Sequence, residues 1–119
     1  MADGDLITDG DELLGLKDIG EPTRHFIKAW NRTVLVKDPA GADLDEWMTY
    51  SRNNQGMNVP WRAKLAQLML CNEKGERLYK DSDVAKLHKK SAAALEEVSV
   101  IAMKKLAVTP EEIEELEKN

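Results

Sequence analysis

Over residues 61–119 apolar side chains recur at helical spacing. Residues that start and stop helices break the recurrence, which restricts this half of the chain to a row of short, capped helices. Trp61, Leu65, Leu68 and Met69 fall at i, i+4, i+7 and i+8, one stripe of a helix. Pro60 suits its first turn, where the missing N–H would have had no partner. Asn72-Glu73-Lys74-Gly75 reads as a turn, after which Leu78 and Tyr79 return the chain to the core. Asp81 is expected to cap a short helix carrying Val84 and Leu87. Ser91 is expected to cap a helix over residues 92–107 that buries Leu95, Val98, Ile101, Ala102 and Leu106. Thr109, Pro110 and Glu112 stand at the N-cap, N1 and N3 positions of a capping box, and Ile113 and Leu116 form one face of a final acidic helix.

The first half carries weaker signals. Val34-Leu35-Val36 is rich in β-branched residues and Asn31-Arg32 suits a tight turn, so residues 23–30 and 33–37 are expected to pair as a hairpin. A lone hairpin is marginal in water and must pack on the helices. Asp43 and Glu46 have capping-box spacing, which predicts a helix over residues 44–52 with Leu44, Trp47 and Met48 on one face. A polar loop with one methionine, Met57, follows it. Residues 1–21 combine four glycines and seven acids with a short apolar patch, Leu13, Leu14, Leu16 and Ile19. Such a segment buries too little to offset its ordering entropy, and it is expected to be a mobile acidic tail. The expected fold class is therefore mainly α (α+β): a small helical domain over residues 22–119 with an N-terminal β-hairpin packed on it.

Charge is segregated along the 119 residues. Residues 1–21 carry net −6 and residues 111–119 net −4, while the middle holds 15 basic and 10 acidic side chains, net +5. Acidic ends on a basic body serve solubility, or draw one molecule's end to another's middle and build rings or spirals. The overall charge of −5 argues against general nucleic-acid binding. No apolar run approaches bilayer length, and Met1-Ala2-Asp3-Gly4-Asp5 is acidic where a signal peptide would be basic, so a cytosolic protein is expected. A single cysteine, Cys71, excludes an internal disulfide.

Equipment for chemistry is thin. His25, His88 and Cys71 are the candidates beyond ordinary surface carboxylates, and Cys71, at the end of an apolar helix, reads as a small buried filler. Asp3, Asp5, Asp9 and Asp11 resemble a calcium loop in composition, but Ile7 stands at position 5 and no glutamate at position 12. No glycine-rich phosphate loop is present. The expectation is a non-enzyme with no catalytic, cofactor-binding or metal-binding residues. The alternative is a small helical DNA-binding regulatory protein, with Arg77, Lys80, Lys86, Lys89, Lys90, Lys104 and Lys105 on phosphates. Against it, the second helix opens with Ser91-Ala92-Ala93-Ala94-Leu95-Glu96-Glu97, which offers no Arg, Asn or Gln to base edges.

In order, these features resemble the tail assembly chaperones of long-tailed (siphovirus) bacteriophages. The resemblance covers roughly residues 22–119. It is carried by a strand from Trp30 to Lys37 before a capped helix, by Arg62-Ala63-Lys64-Leu65-Ala66-Gln67-Leu68-Met69-Leu70-Cys71, and by the turn that follows. Asp81-Ser82-Asp83-Val84, Lys90-Ser91-Ala92-Ala93-Ala94-Leu95 and the ending from Thr109 to Glu117 complete it. Residues 23–28 depart from the family's usual lead into the hairpin. The resemblance implies a protein of the host cell cytoplasm that binds the tape measure protein, keeps it soluble, recruits tail tube protein and is absent from the mature virion. It also implies a homo-oligomer and a C-terminally extended form made by ribosomal frameshifting, for which Glu117-Lys118-Asn119 can be encoded as a slippery run. Apolar side chains outside the Leu65–Leu106 core are the candidate contacts for partner binding or self-association: Leu13, Leu14, Trp47, Met48, Met57, Ile113 and Leu116.

Overall fold

The structure is a computed structural model that describes residues 4–117. Met1, Ala2 and Asp3 of the expected tail, and Lys118 and Asn119 of the slippery-run reading, lie outside the described residues. Among the described residues the chain forms six α-helices and one three-stranded antiparallel sheet. The α+β class with a hairpin packed on helices is therefore the observed one.

The hairpin consists of β1, Thr23–Ile27, and β2, Arg32–Val36, with Thr23 opposite Val36 and Ile27 opposite Arg32. Its first arm is shorter than expected because residues Lys28–Trp30 close into a single 3-10 turn that ends on Asn31 at φ 52°. Glu97 imposes this turn from the far side of the chain. Its carboxylate accepts from the Lys28 and Ala29 N–H groups at 2.9 and 3.0 Å, satisfying donors the ladder cannot. Ile27 and Val36 point into the core, while Phe26 on the opposite face is 59% exposed.

A third strand was not expected. The apolar stripe of α3, Trp61–Met69, runs on in sequence through Leu70 and Cys71, but these two residues leave the helix as β3, Leu70–Cys71, and pair with Val36 and Leu35. Cys71 is thus a strand residue rather than the end of a helix. The Lys37 N–H donates to the Met69 carbonyl at 2.9 Å, so the sheet takes up the backbone groups the helix releases. Asn72 then builds the expected turn with its side chain, accepting from the Lys74 and Glu76 N–H groups, and Gly75 supplies the positive φ of 79° that the turn needs.

α3 is the centre of the molecule. Alanines 63 and 66 as well as the predicted stripe are buried, because α5, Ala92–Leu106, packs along one side with Ala94, Val98 and Ala102, and α2, Gly41–Asn53, along another with Trp47. Small residues at the α3–α5 contact let the two backbones approach. Two polar residues of α3 are buried with them. Lys64 Nζ donates to Gln67 Oε1 at 2.9 Å and to Asp81 Oδ1 at 2.8 Å, and Gln67 Nε2 donates to the Tyr79 carbonyl, so a polar cluster ties α3 to the segment that crosses it.

Two expected caps are corrected. Asp43 is not the N-cap of α2 but its N3 residue: the helix starts three positions earlier than predicted, and the Asp43 carboxylate accepts from the N–H of Ala40, the actual N-cap, at 2.8 Å. Asp81 does not cap α4, Val84–Leu87, because its carboxylate is drawn to Lys64. A 3-10 turn, Asp81–Asp83, precedes that helix, with Lys80 at the cap position and Asp83 accepting its N–H. The other two caps form as read. Ser91 Oγ accepts from Ala94 N–H at 3.2 Å, and Thr109 and Glu112 exchange hydrogen bonds at 3.0 and 3.2 Å at the head of α6, Pro110–Glu117.

Within the acidic tail, α1, Gly10–Leu14, is one turn capped by Asp9, and none of its residues is buried. The tail joins the body at Gly20, whose N–H donates to Asp38 Oδ2 at 2.6 Å.

Candidate interaction surface

An apolar groove lies between α2 and the α5–α6 connection. α2 presents Leu44, Trp47 and Met48 toward the α5–α6 connection, Leu106, Ala107 and Val108, and the space between them is an open groove of about 630 Å³. Trp47 forms its floor at 2% exposure, with its ring 5.7 Å from that of Tyr50. Met48 stands on its wall at 52% exposure and Leu44 at 38%. Arg52, Gln55, Glu112 and Glu115 ring it with polar groups.

Two sets of contacts hold the groove's walls in place. At the head of α2, Asp43 is buried among Lys37 Nζ at 3.0 Å and Arg77 Nη2 at 2.6 Å. Arg77 donates further to Glu46 Oε2 at 2.9 Å and to the Leu68 carbonyl at 3.1 Å, so one guanidinium fastens the first two turns of α2 to α3. Burial opposes the charge on Asp43, but the Ala40 N–H and the Lys37 and Arg77 side chains hold its carboxyl below the ordinary carboxylate value. At the other wall, Ile113 and Leu116 seat α6 on the core. The Glu115 carbonyl accepts from Gly56 N–H at 3.2 Å and Glu117 accepts from Trp61 Nε1 at 3.2 Å.

The seven candidate contact residues divide by burial. Leu13, Leu14, Met48 and Met57 are more than half exposed. Trp47, Ile113 and Leu116 are core residues: the face carrying Ile113 and Leu116 is turned inward, while Trp47 shows only its small exposed part, at the floor of the groove. Only Met48 and Trp47 come together at the groove. Leu106 and Val108 of the groove wall are not among the seven candidate contacts. Leu106 reads as core from its stripe, and Val108, between a helix end and a cap, belongs to no periodic pattern.

The candidate groups for chemistry are dispersed. Cys71 lies on β3 with Sγ 3.7 Å from the Leu35 carbonyl, and burial pushes its thiol up. His25, on β1, shares a 2.7 Å hydrogen bond with Thr23 Oγ1. Burial, then the nearby Lys105, lowers its pKa. Among the described residues no group of three or more His, Cys, Asp or Glu side chains is placed to hold a metal ion. Among the described residues, too, no helix is long and apolar enough to cross a membrane. For DNA, α4 is a single turn, and Arg77, one of the expected phosphate contacts, is engaged by Asp43 and Glu46.

No family model, curated protein or solved structure matches this chain.

Proposed function

We propose that this protein is a tail assembly chaperone of a long-tailed bacteriophage. In this reading it is a non-enzymatic adaptor of the host cytoplasm that binds the tape measure protein, keeps it soluble and extended, recruits tail tube subunits and leaves before the virion is complete. The observation that carries the reading is the groove between α2 and the α5–α6 connection, taken with the order of caps and turns in the sequence. An amphipathic helix recognises such a groove by seating side chains at i, i+3 or i+4 and i+7, and Trp47, Leu44, Met48, Leu106 and Val108 form an apolar bed for them. Met48, unbranched and polarisable, tolerates a succession of different side chains along a repetitive helix. Each such contact is modest, so many copies along a long helix bind by avidity, and arriving tube subunits can displace them one at a time.

The test is co-expression with the tape measure protein of the same phage, the product of a very long helical reading frame expected immediately downstream. The wild-type chain should carry that protein into the soluble fraction and co-purify with it. Met48→Asp, at an exposed position of a well-anchored helix, should lower the recovery several-fold without changing the thermal midpoint. A wild-type chain that leaves the tape measure protein insoluble and unbound ends the reading.

A further inference from the structure

A second groove has the opposite electrostatic character. Tyr79 and Leu87 form the apolar part of a cleft of about 410 Å³ whose margin carries Lys86, Lys89 and Lys90 against the single carboxylate of Asp83. The three lysines are exposed and Leu87 is buried, so the cleft offers an apolar strip edged by positive charge. It lies in the basic middle of the chain.

The acidic tail has the complementary surface. Asp9, Asp11 and Glu12 sit in and beside the single turn of α1, and Leu13, Leu14, Leu16 and Ile19 follow at 55, 84, 48 and 52% exposure. These leucines form an exposed apolar patch beside carboxylates. Within one molecule none of these side chains lines the lysine cleft, and the tail's last hydrogen bond to the body, Gly20 to Asp38, is made at the far end of β2 from the hairpin turn.

We propose that residues 9–19 of one molecule dock in the Tyr79–Leu87 cleft of a second copy, with the tail carboxylates against Lys86, Lys89 and Lys90, so that molecules join head to tail. Tail and cleft are different surfaces, and after a first contact one copy keeps its cleft unused and the other its tail, which makes the association heterologous and extendable into a ring or an open spiral. The leucines supply the burial and the charges supply orientation and rate, which also makes the assembly sensitive to salt. The proposal holds whichever partner the α2 groove serves.

Light scattering on the full chain tests it. At about 20 mM salt the mass should exceed that of the 13.4 kDa monomer at least twofold, and at about 500 mM it should fall to the monomer value. Two variants separate the halves of the contact: Leu13→Asp with Leu14→Asp in the tail, and Lys86→Glu with Lys89→Glu at the cleft. All four side chains are exposed, so both variants should keep the wild-type circular dichroism. Each alone should be monomeric at low salt. Their equimolar mixture should give a dimer and nothing larger, because only one intact tail and one intact cleft remain to meet. A wild-type chain that is monomeric at low salt overturns the proposal, as does assembly that survives either variant or a mixture that stays monomeric.

Discussion

At the scale of single residues, Asp43 carries more of the fold than its place in the sequence indicates. It is buried, accepts from the N-cap backbone, and is the carboxylate on which Lys37 and Arg77 converge from two other parts of the chain. Its folded pKa is depressed, so the stability it contributes is fully present above the unfolded value near about 4 and is lost as pH falls through the lower folded value. Asp43→Asn keeps the shape and removes the charge, leaving the Arg77 guanidinium with only Glu46 as ionic partner. The variant is expected to lose about 3 kcal/mol at pH 7, a drop of roughly 10 °C in thermal midpoint for a domain of this size. The gap between the two proteins should begin to narrow below about pH 4 and close as pH falls through the lower folded value, where the wild type loses the same charge. Thermal unfolding followed by circular dichroism from neutral pH into acid measures both. A gap that does not narrow in acid would trace the loss to packing rather than to charge. Tyr50 is the contrasting case: its hydroxyl is buried with no hydrogen-bond partner among the described residues, and burial, then the Asp81 charge, pushes its pKa up to about 12.

At the scale of elements, what was legible in the sequence is what is decided within about four residues. Ser91 caps α5 and Thr109 with Glu112 caps α6 because donor and acceptor lie in the same turn, whatever the rest of the chain does. β3 was not legible, since Leu70 and Cys71 continue an apolar helical stripe and become a strand only through Leu35 and Val36, more than thirty positions away. Asp81 is likewise drawn away from its cap position by a distant partner, Lys64, whereas Asp43 becomes N3 because the helix starts at Gly41, and its capping bond, to Ala40, is local. The burial of Ile113 and Leu116 is a similar case: spacing identifies an apolar face without saying whether another element covers it. Leu116 has no exposed surface, so Leu116→Asp should unseat α6 at a cost of about 3 kcal/mol or more. Met57→Asp, in an exposed loop position, should change stability by less than about 0.5 kcal/mol. Chemical denaturation of the pair separates core from surface directly. The junction between α5 and α6 contains a further local signal, Ala107 at φ 55°. An L-residue in that left-handed region is disfavoured by roughly 1–2 kcal/mol, and glycine is the usual occupant of a helix C-terminus in this conformation. Ala107→Gly is therefore expected to raise stability by about 1 kcal/mol, read as a higher urea midpoint at an unchanged slope.

At the scale of the whole molecule, stability is distributed unevenly, and the groove sits on the boundary. α3 is enclosed by α2, α4, α5 and the end of the sheet, and nearly every one of its side chains is buried. α6 is attached more lightly, through Ile113, Leu116, the Gly56–Glu115 backbone bond and the Trp61–Glu117 side-chain bond. An element held by two apolar side chains at one edge should open without the rest of the domain unfolding. Native-state hydrogen exchange is expected to show the amides of α3 and the middle of α5 exchanging only through global unfolding. Those of α6 should exchange through a local opening at least about 2 kcal/mol easier. Because α6 and the Leu106–Val108 connection form one wall of the α2 groove, a helix seated in that groove would contact both walls and close the gap in protection, at the cost of ordering α6 on every binding event. Equal protection of α6 and α3 in the free protein would instead make the groove a rigid surface, and binding there would then raise the protection of both helices together.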